Sequence, residues 1–223
     1  MPNVKNGQSA IMPKTHTIIK GLDIYTQVPK DRNGIPVIRR CTRIPQGLVS
    51  FTEIGGKVIP EGHAVHFFLH DQKFECVWQQ PNRYLNVLSK QKFLLSPDFS
   101  AFMDMPEDML YNNVLRSKIL GSWWQMNGNE VIPTVTWAGV GSYDKCFAGI
   151  ESGGVVAVGP CPIRNKGAAN LWHAGYEAMC ERLRPICIVI YGCGKTPDIS
   201  CDAQVVTFPN QYIERMRRCS NGR

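Results

Sequence analysis

Asp71, Asp98 and His70 are the residues whose type and setting suit them to move a proton or hold a cation. Each closes a short apolar run: His66-Phe-Phe-Leu-His70-Asp71 in one case, Phe93-Leu-Leu-Ser-Pro97-Asp98 in the other. Two carboxylates brought to one edge could share acid/base work or ligate a divalent metal. A third run, Val131-Ile-Pro-Thr-Val-Thr-Trp137, ends in an indole able to stack on a base or a sugar. Ser96, Ser100, Tyr143 and Tyr191 lie in or just after such runs and join Trp137 as expected ligand contacts. The loop Gly139-Val-Gly-Ser-Tyr143 could close over a site.

Each of these residues has a plainer structural reading. Asp71 could cap the turn after its strand, and Asp98 could cap its own segment with Ser96 and Ser100. His63, His66 and His70 fall within eight residues. On a strand His66 and His70 share a face and His63 takes the other. With Asp71 they could form a metal or proton-transfer cluster, while His66 between apolar neighbours also reads as a hydrogen-bonded core histidine. Trp123 and Trp124 read as core. No Gly-x-Ser-x-Gly elbow is present. Cys161 and Cys193 each follow a strand-like run, with no His partner evident in sequence.

These side chains need a frame to converge. Strands are expected at Ala64–Leu69, Phe93–Ser96, Val131–Thr136, Lys145–Ala148, Val155–Val158, Ile186–Tyr191 and Val205–Phe208. They are short and mostly continuously apolar, as strands buried on both faces are. Helices are expected between several of them. One follows Asp104 and Glu107, spaced like a capping box, and runs to about Met126, with Gly128 as its stop. Another spans Ala168 to Leu183, and a shorter one Gln79 to Lys90. The alternation implies an α/β fold: a mainly parallel sheet, curled as an incomplete or distorted (β/α) barrel. An open doubly wound sheet is the alternative. Residues 1–60 read as an irregular arm of loops and short strands, and 61–223 as the α/β domain. The carboxyl edge of such a sheet is where ligands bind. Gly192-Cys193-Gly194-Lys195-Thr196 looks like the tail of a phosphate loop, but the first glycine of that motif would fall on Val189 and Pro197 follows.

The 223 residues suit one large domain, and 43% hydrophobic residues suit a packed core. No apolar run reaches transmembrane length, and Met1–Ser9 lacks the apolar centre of a secretory signal. A cytoplasmic protein with no membrane partner is expected. Nine cysteines, an odd number without a Cys-x-x-Cys pair, read as buried free thiols rather than disulfides or a zinc site. The net charge of +7, partly gathered at the two ends of the chain, could attract a nucleic acid or a nucleotide.

Several segments together carry a resemblance. Leu95-Ser-Pro-Asp-Phe-Ser100, Met105-Pro106, Asn113, Arg116-Ser117, the Gln125–Gly128 turn, Ile132–Trp137 and Cys146–Ile150 form the centre of the pattern. His66–Asp71 with Phe74, Trp78, Pro81 and Tyr84 precedes it, and Tyr191-Gly192 follows. The pattern resembles an uncharacterised family of phages, prophages and mobile plasmids called domain of unknown function 4417. The resemblance implies a mobile-element origin within a bacterial host cell and no particular chemistry. The chain departs from it at Val158-Gly-Pro-Cys-Pro-Ile163, where a serine- or threonine-containing turn is expected. The residues themselves point first to a metal-dependent hydrolase of a phosphodiester or nucleotide. The alternative is a non-catalytic binder: a DNA-associated replication accessory, or a counter-defence protein that sequesters a host protein or a nucleotide.

Overall fold

A computed structural model of the chain describes residues 21–55, 57–160, 166–192 and 201–210. Seven parallel strands organise it. Four form one sheet in the order β1 (Gly47–Ser50), β2 (His63–His66), β3 (Phe93–Leu95) and β4 (Glu130–Ile132). Three form a second: β5 (Val155–Val158), β6 (Cys187–Tyr191) and β7 (Gln204–Phe208). A parallel bridge between Thr134 and Ala157 joins them just past β4. Val135 N–H donates to the Ala157 carbonyl at 2.7 Å, and Ala157 N–H to that of Pro133 at 2.9 Å. Spatial order therefore follows chain order from β1 to β7. That sequence is barrel-like, whereas a doubly wound sheet reverses its order at a switch point. No ladder joins β7 to β1 among the described residues, so the barrel is incomplete.

The period of two along each strand sorts side chains into two layers. Leu48, Ala64, Leu95, Ile132, Ala157 and Val189 meet in an inner cluster with residues of every strand. The alternate residues, such as Val65, Leu94, Val156 and Ile188, pack outward on helices. In β2, β3, β5 and β6 both faces are largely buried, so these strands read as continuous apolar runs, whereas β7 is half-buried to exposed. Each fully buried Leu, Ile or Phe contributes about 1.5–3 kcal/mol relative to its exposed state.

The helices form the outer layer: α1 (Leu22–Gln27), α2 (Glu75–Gln79), α3 (Pro81–Leu88), α4 (Glu107–Met126), α5 (Tyr143–Phe147) and α6 (Lys166–Leu183). α4 lies between two apolar clusters, sending Ile119, Leu120 and Trp124 to one and Leu110 and Val114 to the other. Its capping box does not form. Pro106 takes the cap position with extended backbone, which leaves Asp104 too early to reach the first turn. Gly128, with φ of 92°, ends this helix as expected. The expected strand at Lys145–Ala148 is instead the end of α5, with Ala148 as its C-cap. Tyr143, Cys146 and Phe147 bury at helical spacing, which short apolar runs do not reveal on their own. No described helix is long and apolar enough to cross a membrane.

The first strand, β1, falls within residues 1–60 and pairs in register with β2 from Gly47–His63 to Ser50–His66. The segment before it runs as a strap along the amino-terminal edge of the sheet. Ile38 N–H donates to the Gly149 carbonyl at 2.8 Å, and Val155 N–H donates to the Cys41 carbonyl at 2.7 Å. Cys41 and Ile44 pack into the base of the inner cluster.

Gly149 turns the chain out of α5 at φ 71°, and a Cβ there would sit 2.3 Å from the Pro36 carbonyl oxygen. Gly149→Ala should therefore lower stability by roughly 1–3 kcal/mol, from backbone strain and collision together. Urea unfolding reads this directly, and an unchanged midpoint would show that the strap is not held at this point.

Candidate functional site

At the carboxyl edge the strand ends open into a cleft of 780 Å³. Its walls come from nearly every strand. Ser50 ends β1, and Thr52 and Glu53 follow it; Phe68 and His70 follow β2; Asp98 and Ser100 follow β3. Pro160 follows β5, Tyr191 and Gly192 end β6, and Asn210 follows β7. The sequence thus folds so that six separate loops deliver side chains to one cavity, as parallel α/β sheets commonly do.

Asp98 stands on the far side of Pro97 from β3. One carboxyl oxygen lies 4.0 Å from where a Cβ on Gly159 would be, so it faces the end of β5. Burial, and then the negative charge of Asp71, raise this carboxyl from the ordinary range to about 7. Near neutral pH it therefore exchanges a proton readily, which is the property an acid/base residue needs. Asp71 has a different task. It opens a 3-10 turn at Asp71–Lys73 and accepts from Ser100 twice: N–H at 3.2 Å and the hydroxyl at 2.9 Å. Asn113 of α4 donates to the Ser100 carbonyl at 2.8 Å. Asp71 thus ties the loop after β2 to the loop after β3 and biases Asp98 by its charge. It is not among the residues that line the cleft.

His70 is exposed at the rim. His66, which shares the inner face, is fully buried beneath the floor, its ring centroid 4.3 Å from that of Tyr191. Its Nδ1 accepts the Phe68 N–H at 3.2 Å, and burial lowers its pKa to about 4. It is a neutral core histidine, and it aims the backbone that carries Phe68. Phe68 and Tyr191 stack in parallel, with centroids 5.1 Å apart and 6° between planes. This pair forms an aromatic wall of the cleft. Period-two alternation already places Phe68 on the face of His66, so the signal for it exists in the sequence.

Three expected ligand contacts sit elsewhere. Trp137 does not line the cleft. Its indole lies over Gly175 of α6, where a Cβ would be 2.0 Å from the ring nitrogen, and it packs against Trp172 and Phe147. The β4 run departs toward the helical layer beyond Thr134, which takes its end away from the cavity. Tyr143 is buried against Phe147 in the same outer cluster. Ser96 is fully buried and serves the frame: its hydroxyl accepts from Thr134 N–H at 2.8 Å and from the Ser117 hydroxyl at 3.1 Å. Ser50, Thr52, Glu53 and Asn210 gave no local sequence signal, because each becomes a wall only through the strand order.

Among the described residues no group of three or more His, Cys, Asp or Glu side chains gathers to hold a metal ion. A divalent metal ion therefore has no preformed cluster of three such donors among these residues. The described cysteines are free, with Cys41, Cys146 and Cys187 buried. Cys161, Cys193 and the Gly194-Lys195-Thr196 stretch lie outside the described residues. At the opposite edge of the sheet the strap arginines are paired: Arg40 with Glu151 at 3.6 Å and Arg43 with Glu130 at 3.4 Å.

Comparison with known proteins places the chain in company. A family model described as Domain of unknown function (DUF4417) matches residues 29–209. The Gene 1 protein of Mycobacterium phage D29 is 34% identical over 190 residues, covering 84% of this chain and 70% of the phage protein. The Gene 1 protein of Mycobacterium phage L5 is 37% identical over 158 residues, covering 70% of this chain and 69% of that protein. No solved structure matches.

The raised Asp98 carboxyl has a stability consequence with a definite sign. Unfolded, Asp98 ionises near its ordinary value; folded, it keeps its proton up to about pH 7. Its contribution is present in full below the unfolded value and is lost as pH rises through that window. Asp98→Asn does not titrate, so unfolding free energies should drift in the variant's favour between pH 4 and 7. A constant difference across that range would refute the raised carboxyl.

Proposed function

For a chain that belongs to the DUF4417 family, a domain of unknown function shared with mycobacteriophage Gene 1 proteins, we propose that the carboxyl-edge cleft is the functional site. It acts as a hydrolase on a small substrate of the nucleotide class, with Asp98 as the group that gives and takes the proton. One observation carries this reading: a carboxyl with its pKa near 7 faces a cavity built from six strand-end loops. A titratable group perturbed by burial and a neighbouring charge within such a cleft is the mark of a candidate acid/base residue. His70 at the rim and Glu53 after β1 are further acid/base groups in the same cavity, and Ser100 and Thr52 supply hydroxyls that orient a polar substrate. The raised carboxyl suits a residue that enters the reaction protonated and assists departure of a leaving group.

A second reading uses the same cleft without turnover, as a trap for a nucleotide. It is favoured by Asp71: because that carboxyl is engaged by Ser100, the cleft holds Asp98 without a second carboxyl from the expected pair. Turnover separates the two.

The protein is incubated with a panel of nucleoside mono-, di- and triphosphates and cyclic dinucleotides from pH 5 to 9, with products resolved by chromatography. Turnover with an inflection near pH 7, lost by roughly 10²–10⁴-fold in Asp98→Asn, is the expected result. Saturable binding without product in every case selects the trap. Equal turnover by wild type and Asp98→Asn would remove Asp98 from the chemistry.

A further inference from the structure

The aromatic wall says more about the ligand than the carboxyl does alone. Phe68 is half-buried, one of its flanks covered by Tyr191 in parallel stacking, and it lines the cleft. Its position is fixed from below, since its backbone N–H is bonded to the buried His66 ring. A ring held at a fixed tilt beside a cavity is a platform for another flat ring. Asp98 lines the same cavity, and Ser50, Thr52 and Ser100 add hydroxyls.

We infer that the cleft recognises its ligand through a nucleobase, laid against Phe68 with a donor–acceptor edge turned to Asp98. This rests on the reading that the cleft is the functional site, and it holds whether or not Asp98 also takes part in a reaction. A neutral carboxyl presents one O–H donor and one carbonyl acceptor side by side. That pair complements a ring nitrogen next to an exocyclic amine, as on adenine, or a ring N–H next to a carbonyl, as on uracil. An ionised carboxyl accepts only, and so loses half of that match. The state of Asp98 thereby sets which edges fit. Asp98 is raised to about 7, so the donor is available below neutral pH and withdrawn above it. The other titratable groups facing this region are Asp71 behind Ser100, His70 at the rim, Glu53 after β1 and the Tyr191 phenol. Asparagine at position 98 offers a donor and an acceptor at any pH, which isolates the role of Asp98 from theirs.

The test is calorimetric titration of the full chain with adenosine, uridine, ribose 5-phosphate and inorganic phosphate at pH 6 and pH 8. Adenosine or uridine should bind at pH 6 and weaken several-fold at pH 8, whereas Asp98→Asn should bind them alike at both. Phe68→Leu, which keeps an apolar residue of similar bulk, should weaken nucleoside binding roughly ten-fold, in line with the usual contribution of base stacking. Thermal unfolding of that variant checks that the fold is retained. Ribose 5-phosphate or phosphate binding as tightly as the nucleosides would overturn base recognition while leaving the cleft in place as a site. If no nucleoside binds, base recognition is also overturned, and turnover in the nucleotide panel still decides the proposed function on its own. Nucleoside binding that is indifferent to Phe68→Leu and to pH would place the ligand elsewhere.

Discussion

Two short hydrogen bonds between Ser96 and Thr134 decide how the carboxyl edge is built. The Ser96 hydroxyl accepts the Thr134 N–H at 2.8 Å, and the Thr134 hydroxyl donates to the Ser96 carbonyl at 2.6 Å. Both residues lie past the ends of their strands, where a parallel ladder would ordinarily fray. The clasp carries the chain after β4 across to Ala157 of β5, which makes two sheets behave as one curved surface. Ser117 of α4 donates to the same serine hydroxyl, so the outer layer is fastened at this point too. The buried Ser96 hydroxyl thus accepts twice, and losing it leaves the Thr134 main-chain donor stranded at a cost of about 1–3 kcal/mol. Asp98 follows only two residues later. Its position opposite Gly159 depends on the same junction.

The electrostatics of the cleft follow from that geometry. Asp71 is held by the N–H and hydroxyl of Ser100, and its charge works against ionisation of Asp98. Two aspartates of identical chemistry thus take unlike parts. One is fixed as an acceptor within a loop tie, and the other is left to exchange its proton in the cavity. Beneath them the neutral His66 ring supports the aromatic wall without adding charge to the floor. The wall and the carboxyl are therefore set by separate parts of the fold, one from β2 and β6 and one from β3 and β5.

The curled parallel sheet is readable in the sequence because two-sided burial forces continuous apolar runs, as in Val155–Val158 and Cys187–Tyr191. The position of the cleft is readable for the same reason, since such runs end at one edge. Asp98, His70, Ser100 and Tyr191 line the cleft as their places at strand ends imply. Trp137 misleads because the run that carries it outlasts its strand. β4 ends at Ile132, and five further residues take the indole over to α6. Lys145–Ala148 misleads because a run of four cannot distinguish a period of two from one of 3.6. β1 is obscured by the glycine- and proline-rich stretch around it, and its pairing with β2 is a long-range fact that no local pattern encodes. The wall residues Ser50, Thr52 and Asn210 share that difficulty.

The strap along the amino-terminal edge has a bearing on the order of assembly. Its partners, Gly149 and Val155, lie more than a hundred residues further along the chain. Loop closure over such a span is slow compared with the pairing of neighbouring strands. As the chain leaves the ribosome the strap comes out before β1, yet its partners exist only once the chain has reached β5. The base of the barrel therefore stays open until β5 is made, and a segment made before β1 is fastened late. Until then the inner apolar layer has one uncovered end, so the interval before closure is when this chain is most exposed to aggregation.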